Sequence, residues 1–188
     1  MNKGLLIVLS GPSGCGKGTL NKRLLELNKD IKLSVSATTR EKRNFEQDGV
    51  DYYFYSTENF LKMIENDEFL EYAQYNGNYY GTPQKPIDDW LQSGYDVLLE
   101  IEVLGAEKVR EKAEIVDIFV LPPSMEELEN RLKNRNTETK EQIDARLLIA
   151  KNEMLMQDRY EYVIVNEEVE QAVNEIINII SKEKSKLK

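Results

Sequence analysis

The chain has 188 residues, of which 40% are hydrophobic and 31% are charged, and it contains no histidine and a single cysteine, Cys15. This length predicts one domain with a small inserted element, and the residue usage excludes an intrachain disulfide, histidine-based zinc sites and a histidine general base. The formal charge of −9 argues against a general nucleic-acid binder, and without an apolar run of about 18 residues we expect no membrane span and a cytoplasmic protein.

The first predicted element is a strand over Leu5–Ser10, a continuous apolar run that is typical of a strand buried on both faces. It leads into the segment GPSGCGKGT, which resembles the phosphate-binding loop G-x-x-x-x-G-K-[ST]. Glycines let backbone N–H groups point at phosphates, and the helix that follows adds its positive end. The alternative is a glycine-rich turn without a ligand. We predict nucleotide-phosphate contacts at Gly11, Pro12, Ser13, Gly14, Cys15, Gly16, Lys17, Gly18 and Thr19.

One position of this loop departs from the pattern. Gly18 directly follows Lys17, where most such loops carry the hydroxyl that holds Mg²⁺. Thr19 supplies a hydroxyl one place later, so we expect it to touch phosphate while water and phosphate oxygens hold most of the metal shell. Cys15 is expected to be a small loop residue and not a nucleophile.

A basic segment comes next along the chain. Arg40 and Arg43 bracket Lys42, and like charges so close repel each other unless an anion lies among them. A solvated basic turn is the alternative. The surrounding stretch, from about residue 36 to 82, is rich in Tyr and Thr and has short strand-like pieces at Asp51–Tyr55 and Phe69–Tyr75. It predicts a small, partly β insertion.

The rest of the chain alternates strands with helices. Three further apolar runs predict buried strands at Val97–Ile101, Ile115–Leu121 and Tyr162–Val165. Capping-box spacing predicts helix starts at Ser124 with Glu127 and at Thr139 with Gln142. The last predicted helix carries an apolar stripe, made of Val169, Ala172, Val173, Ile176, Ile177 and Ile180. This alternation predicts an α/β fold with a parallel sheet covered on both faces.

Several polar residues follow these strands and helices. Glu100 ends a strand beside the predicted phosphate loop, where enzymes with such loops carry an acid aimed at Mg²⁺ or its waters. Arg131 and Arg135 lie four residues apart on one predicted helix, and Arg146 follows. Two like charges at this spacing destabilise a helix slightly. A lid that folds these arginines over a triphosphate would offset that repulsion. The alternative is that they lie on a solvated surface. Asn166, after the last strand, is predicted on the adenine side.

Taken with these motifs, the chain resembles the guanylate kinase family over nearly its whole length. The family's S-x-S-x-T-T-R-x-x-R motif falls on Ser34–Arg43, its E-x-x-G-x-D-Y motif on Glu46–Tyr52, and its E-x-A-x-x-x-x-x-Y-Y-G-[ST] run on Glu71–Thr82. Its acidic-x-acidic strand end falls on Glu100 and Glu102. The resemblance implies a GMP phosphate site at Arg40, Arg43, Tyr52 and Tyr80, and a guanine site at Ser36, Glu71 and Thr82, with Glu102 close to the nucleoside.

The chemistry of guanine agrees with that assignment. Guanine presents hydrogen-bond donors at N1 and N2, so one carboxylate such as Glu71 can accept both. Adenine presents a lone pair at N1, which a carboxylate repels. Sites built on such bonds discriminate by about 10⁴ or more.

The resemblance also implies an architecture and a reaction. The expected fold is a three-layer P-loop kinase core with a parallel sheet (1–33, 84–130 and 150–188), a small mixed α/β GMP-binding insertion (34–83) and a helical lid (131–149). The expected reaction is in-line, Mg²⁺-dependent transfer of a phosphoryl group from ATP to GMP, giving ADP and GDP. The implied catalytic residues are Lys17, Arg40, Arg43, Arg135 and Arg146. The implied metal-directed residues are Glu100, directly or through water, and more weakly Thr19.

Two alternative functions remain open from the residues. A different small-molecule phosphate kinase on the same scaffold would share the loop and lid without needing the guanine set. A non-catalytic binding module would tolerate a ruined phosphate loop.

Three positions depart from the family's pattern, at Lys42, Asn44 and Leu104. The expected partners are ATP and GMP, with no nucleic acid or membrane, and the chain is expected to be a monomer or a homodimer.

Overall fold

The computed structural model describes residues 3–134 and 139–187. Its strands are β1 (Leu6–Ser10), β2 (Ile31–Leu33), β3 (Ala37–Thr38), β4 (Tyr53–Phe54), β5 (Phe69–Tyr75), β6 (Asn78–Pro83), β7 (Asp96–Glu100), β8 (Val116–Leu121) and β9 (Tyr162–Val165). Its α-helices are α1 (Lys17–Leu27), α2 (Thr57–Glu65), α3 (Gln84–Gln92), α4 (Val103–Lys112), α5 (Met125–Lys133), α6 (Lys140–Met154) and α7 (Val169–Lys186).

The larger sheet is parallel throughout and has the order β2-β7-β1-β8-β9. This confirms the predicted α/β fold. The four predicted apolar runs all form strands of this sheet, each within one residue of its predicted bounds. The fifth strand, β2, was outside those runs because it has only three residues and half-exposes a lysine at its centre. Since parallel strands end at one edge, the residues that follow β1, β7 and β9 converge there.

Helices cover both faces of this sheet, as the alternation predicted. Along β1, Ile7 and Leu9 pack with the apolar residues of α1 and α7, whereas Leu6 and Val8 pack with those of α3 and α4. The period of two in a strand sends alternate side chains to opposite faces. The stripe of α7 packs on the first of these faces. No helix within the described residues is long and apolar enough to cross a membrane.

The smaller sheet lies wholly inside the predicted insertion. Its order is β4-β3-β6-β5, with β3 and β4 parallel and the β3–β6 and β5–β6 pairs antiparallel. Helix α2 packs on it through Phe60, whose ring centre lies 4.4 Å from that of Phe69. Strand β4 is shorter than the predicted Asp51–Tyr55, because residue 51 lies in a turn that follows Gly49, whose φ is +73°.

Helices α5 and α6 pack together through a small apolar cluster around Leu128, Leu132 and Ile143. The predicted capping box at Thr139 is complete, with Gln142 returning a hydrogen bond to the Thr139 backbone. At α5 only half of the predicted box forms. Ser124 accepts the N–H of Glu127, but the carboxylate of Glu127 pairs with an arginine one turn later.

Candidate active site

The phosphate loop joins β1 to α1, and its own lysine spans it. Lys17 Nζ donates to the carbonyl oxygens of Gly11, at 2.6 Å, and Pro12, at 3.2 Å. Gly16 has a φ of +98°, and a Cβ at this position would lie 2.4 Å from Nδ2 of Asn166. Only glycine fits such a backbone without strain. The loop is therefore a preformed backbone cradle at the positive end of α1.

A cavity of about 370 Å³ opens above this loop. It is lined by Ser13, Gly14, Gly16, Lys17, Gly18, Thr19 and Glu100. The remaining predicted phosphate contacts, Gly11, Pro12 and Cys15, are buried behind it. The cavity combines a cation, a helix N-terminus and loop backbone, and such a combination is suited to a chain of phosphates.

The cysteine of the loop packs in the hydrophobic core. The side chain of Cys15 is fully buried in the main core cluster. Burial raises the pKa of its thiol, and this effect exceeds the opposing one of the nearby Lys17 ammonium. A neutral, inaccessible thiol is a poor nucleophile.

The acidic wall of the cavity is Glu100, at the end of β7 and in register with Leu9 of β1. Its Oε2 lies 4.0 Å from where a Cβ on Gly18 would be, and it accepts a hydrogen bond from Nδ2 of Asn21. Among residues 3–134 and 139–187, no group of three or more acidic, cysteine or histidine side chains could hold a metal ion. A cation here would have one carboxylate, with phosphate oxygens and water completing its shell. That arrangement fits Mg²⁺.

Two side chains brace the back of the loop. Arg131 donates to the carbonyl oxygens of Cys15, at 3.3 Å, and Asn166, at 3.1 Å, while Glu127 accepts from its Nε at 2.8 Å. Asn166 is 3% exposed and donates from Nδ2 to the same Cys15 oxygen at 2.8 Å. The amide nitrogen of Asn166 is thus committed to the loop, and its predicted role toward adenine stays a prediction.

Besides Arg131, the predicted lid contacts the loop through an arginine of α6. Arg146 Nη2 donates to Oγ of Ser13 at 2.5 Å. Ser13 also lines the phosphate cavity, so Arg146 stands at the rim of that cavity. Arg135, the other predicted lid arginine, lies outside the described residues.

A second group of basic and aromatic residues lies on the smaller sheet. Arg40 follows β3, and Glu46 holds its guanidinium with two hydrogen bonds, at 2.7 and 3.1 Å. The ring of Tyr52 lies 5.5 Å from the guanidinium carbon. Glu46 also accepts the backbone N–H of Arg43 at 2.8 Å. The hydrogen bonds from Arg40 are the main reason that the pKa of Glu46 falls below its usual value, and they raise the pKa of Arg40 in turn.

The other predicted phosphate-directed residues of this group lie beside Arg40. The rings of Tyr52 and Tyr80 meet edge to face, 6.2 Å apart, and burial raises the pKa of Tyr52. Arg43 is exposed, although its backbone is anchored. Of the predicted set, the structure therefore packs Arg40, Tyr52 and Tyr80 together and leaves Arg43 facing solvent.

The predicted guanine set centres on a half-buried carboxylate. Glu71 of β5 and Thr82 of β6 are register partners, and Thr82 Oγ1 donates to Glu71 Oε1 at 2.6 Å. Burial raises the pKa of Glu71, and the negative charge of Glu102 adds to that shift. Its other oxygen lies 3.4 Å from where a Cβ on Gly105 of α4 would be. Ser36, half-buried, comes just before β3, and Glu102, exposed, precedes α4.

The three positions that depart from the family's pattern, Lys42, Asn44 and Leu104, are all exposed. A larger cleft of about 900 Å³ lies elsewhere, between the smaller sheet and α3. Aromatic side chains such as Tyr53 and Trp90 line it beside four carboxylates and one lysine. This acidic lining does not suit a phosphorylated ligand.

Two residues at these sites had no role in the sequence analysis. Glu46 stood inside a recognised motif, and an acid six residues from Arg40 could have suggested a pair. Asn21 had no signal beyond its place one helical turn after Lys17, because its partner, Glu100, is 79 residues away.

Comparison of the sequence with known proteins finds relatives that are guanylate kinases. The guanylate kinase family model matches residues 3–183. The chain is 55% identical over 188 residues to a guanylate kinase of Clostridioides difficile, covering 100% of this chain and 92% of the relative. It is 52% identical over 186 residues to one of Caldanaerobacter subterraneus subsp. tengcongensis, covering 98% and 90%.

Solved structures agree with these sequence relatives. A crystal structure of guanylate kinase from Anaplasma phagocytophilum matches with a TM-score of 0.76 and 39% identity, covering 97% of this chain and 87% of that one. A gluconokinase from Sinorhizobium meliloti matches with a TM-score of 0.53 and 16% identity, covering 100% and 97%. At 16% identity, the similarity to the gluconokinase shows the fold alone.

Proposed function

The chain belongs to the guanylate kinase family and has guanylate kinase activity, and from this premise we propose where its two nucleotides bind. ATP, which the family uses, binds in the cavity above the phosphate loop. GMP binds on the smaller sheet. The observation that carries the proposal is that cavity, because Lys17, the start of α1 and Glu100 together line one space of about 370 Å³.

The GMP phosphate is held by Arg40, Arg43, Tyr52 and Tyr80. Arg40 is already oriented by Glu46, so little side-chain freedom is lost when the phosphate arrives. A planar guanidinium can grip two phosphate oxygens at once. Arg43 faces solvent in this structure, and we propose that it closes onto the phosphate.

Guanine is read by Glu71, with Ser36, Thr82 and Glu102 around it. Because Thr82 donates to Oε1 of Glu71, the carboxylate is fixed in orientation. It can then accept the N1 and N2 hydrogens of guanine. The half-buried setting strengthens these bonds, since fewer waters compete for the carboxylate than at an exposed site.

The residues near Gly18 fit a Mg²⁺ ion that enters with ATP. Glu100 would hold it, directly or through water, and the hydroxyl of Thr19 would be a weaker ligand. When bound, Mg²⁺ neutralises charge on the phosphate oxygens of ATP.

The transfer is in line and needs no covalent intermediate. Lys17, Arg135 and Arg146 neutralise the transferred phosphoryl group, while Arg40 and Arg43 fix the attacking GMP oxygen. A phosphate monoester is already anionic at neutral pH, so no strong general base is required. Closure of the insertion (34–83) and lid (131–149) over the core (1–33, 84–130 and 150–188) excludes water from the reaction.

We also propose a cytoplasmic location.

The test replaces two of the cations that contact the loop. Lys17→Ala and Arg146→Ala are expected to lower kcat by at least about tenfold, since one well-placed arginine alone contributes about 10³–10⁵ in rate. Lys22→Ala, at an exposed lysine of α1, is the matched control and should keep normal turnover. Circular dichroism checks that each variant is folded. Normal kcat in both test variants would overturn the scheme.

A further inference from the structure

Asn21 is an unusual residue for its place in the helix. It lies in α1, one turn after Lys17, and is 2% exposed. Its neighbours on the buried face, Leu20 and Leu24, are fully buried and apolar. The Nδ2 of Asn21 donates to Oε2 of Glu100, 2.5 Å away across the gap between α1 and β7.

The other end of this amide is left unsatisfied. Oδ1 of Asn21 is buried and has no hydrogen-bond partner in the described part of the chain. A buried acceptor without a partner destabilises the folded state. An apolar side chain of similar size would fill the same space without that penalty. Folding alone therefore gives no reason for an amide here.

The partner of the amide gives a reason. Glu100 lines the phosphate cavity beside Lys17 and Gly18. Gly18 brings no side chain to the position where related loops place a metal-binding hydroxyl, so the orientation of the Glu100 carboxylate carries more of the metal-directed chemistry. A charge-assisted bond to Oε2 fixes that orientation and does not engage Oε1.

We propose that Asn21 is a positioning residue for the metal-directed carboxylate of Glu100. It acts as an outer-shell partner, holding one oxygen so that the other meets the Mg²⁺ of bound ATP or one of its waters. This inference rests on the proposed function, in which Glu100 faces Mg²⁺. Outer-shell partners of this kind typically contribute about 10–100-fold to metal affinity or activity.

The test is the enhancement of ATP binding by Mg²⁺. Calorimetry gives the Kd for ATP with Mg²⁺ and with EDTA, and the ratio of the two is the enhancement. Asn21→Leu is expected to lower this ratio by about tenfold while leaving the Kd in EDTA within about twofold, because the loop itself is unchanged. Its Tm should be equal to or above that of the parent chain, since the unsatisfied oxygen is removed. Asn21→Ala, a second variant that cannot overpack, should lower the ratio equally.

A double-mutant cycle with Glu100→Gln provides the control. If Asn21 acts through Glu100, Asn21→Leu has no further effect on the ratio once Glu100 is changed. Equal loss of ATP affinity with and without Mg²⁺ would mean that Asn21 only supports the loop, and would overturn the inference. So would a lowered ratio in Glu100→Gln with none in Asn21→Leu. An unchanged ratio in Glu100→Gln itself would instead overturn the metal role of Glu100 in the proposed function, and the inference with it.

Discussion

The half-buried carboxylate of Glu71 gives the sharpest prediction about substrate choice. Glu71→Gln keeps the shape of the side chain but removes one acceptor and the charge, and its amide N–H₂ can face the donors of guanine. A hydrogen bond to a charged group contributes about 1.5–3 kcal/mol. Losing one such bond and reducing the other to a neutral bond costs about 2.5–4.5 kcal/mol, which corresponds to about 10²–10³ in kcat/KM for GMP.

The assay compares GMP with IMP, whose base lacks the N2 amine and can make only one of the two bonds. The parent enzyme should prefer GMP by about 10–100-fold, the worth of one charged hydrogen bond. Glu71→Gln should lose most of that preference. Glu68→Gln, at an exposed carboxylate just before β5, is the matched control and should keep it. An undiminished preference for GMP in Glu71→Gln would refute the base-reading role.

The pH dependence of the same residue has a defined sign. Only the ionised carboxylate accepts both guanine donors, and burial raises the pKa of Glu71 above the ordinary 4.5. As the pH falls, the acceptor is therefore lost earlier than for an exposed glutamate. The kcat/KM for GMP should show an acidic limb that disappears in Glu71→Gln. The same limb at the same pH in both proteins would assign it to another group.

Two further predictions concern groups that shape the sites. Glu46→Gln should loosen Arg40 and raise the KM for GMP by about tenfold with little change in kcat; a KM within twofold of the parent value would contradict this. Gly16→Ala should lower Tm and abolish ATP binding, because its Cβ would lie 2.4 Å from Asn166. The control is Gly77→Ala, since Gly77 has a similar positive φ but nothing within 4 Å of its Cβ position. This variant should lose only the free energy of the strained backbone, about 1–2 kcal/mol. Equal losses of stability in the two variants would contradict the steric reasoning.

The sequence patterns predicted those features that depend on local order along the chain. Apolar runs marked the long strands of the larger sheet, and glycine spacing marked the phosphate loop, because both signals sit within a few neighbouring residues. Strand β2 was too short to show such a run. The capping box at Ser124 was only half right, because Glu127 had a better partner in Arg131.

Contacts between distant residues could not be read from the sequence. The bond from Asn21 to Glu100 joins residues 79 positions apart, and that from Asn166 to Cys15 joins residues 151 apart. Such pairs exist only because parallel strands bring their ends to one edge of the sheet. The role of each predicted site residue in the reaction stays a prediction until it is measured.

The central claim, that the smaller sheet recognises guanosine monophosphate, is tested most directly by the selectivity for the phosphate acceptor. ADP release is followed in a coupled assay with ATP and Mg²⁺, with GMP, AMP, CMP or UMP offered in turn. The account predicts rapid release with GMP and a kcat/KM lower by about 10⁴ with each of the others. Comparable turnover with AMP, CMP or UMP would contradict it.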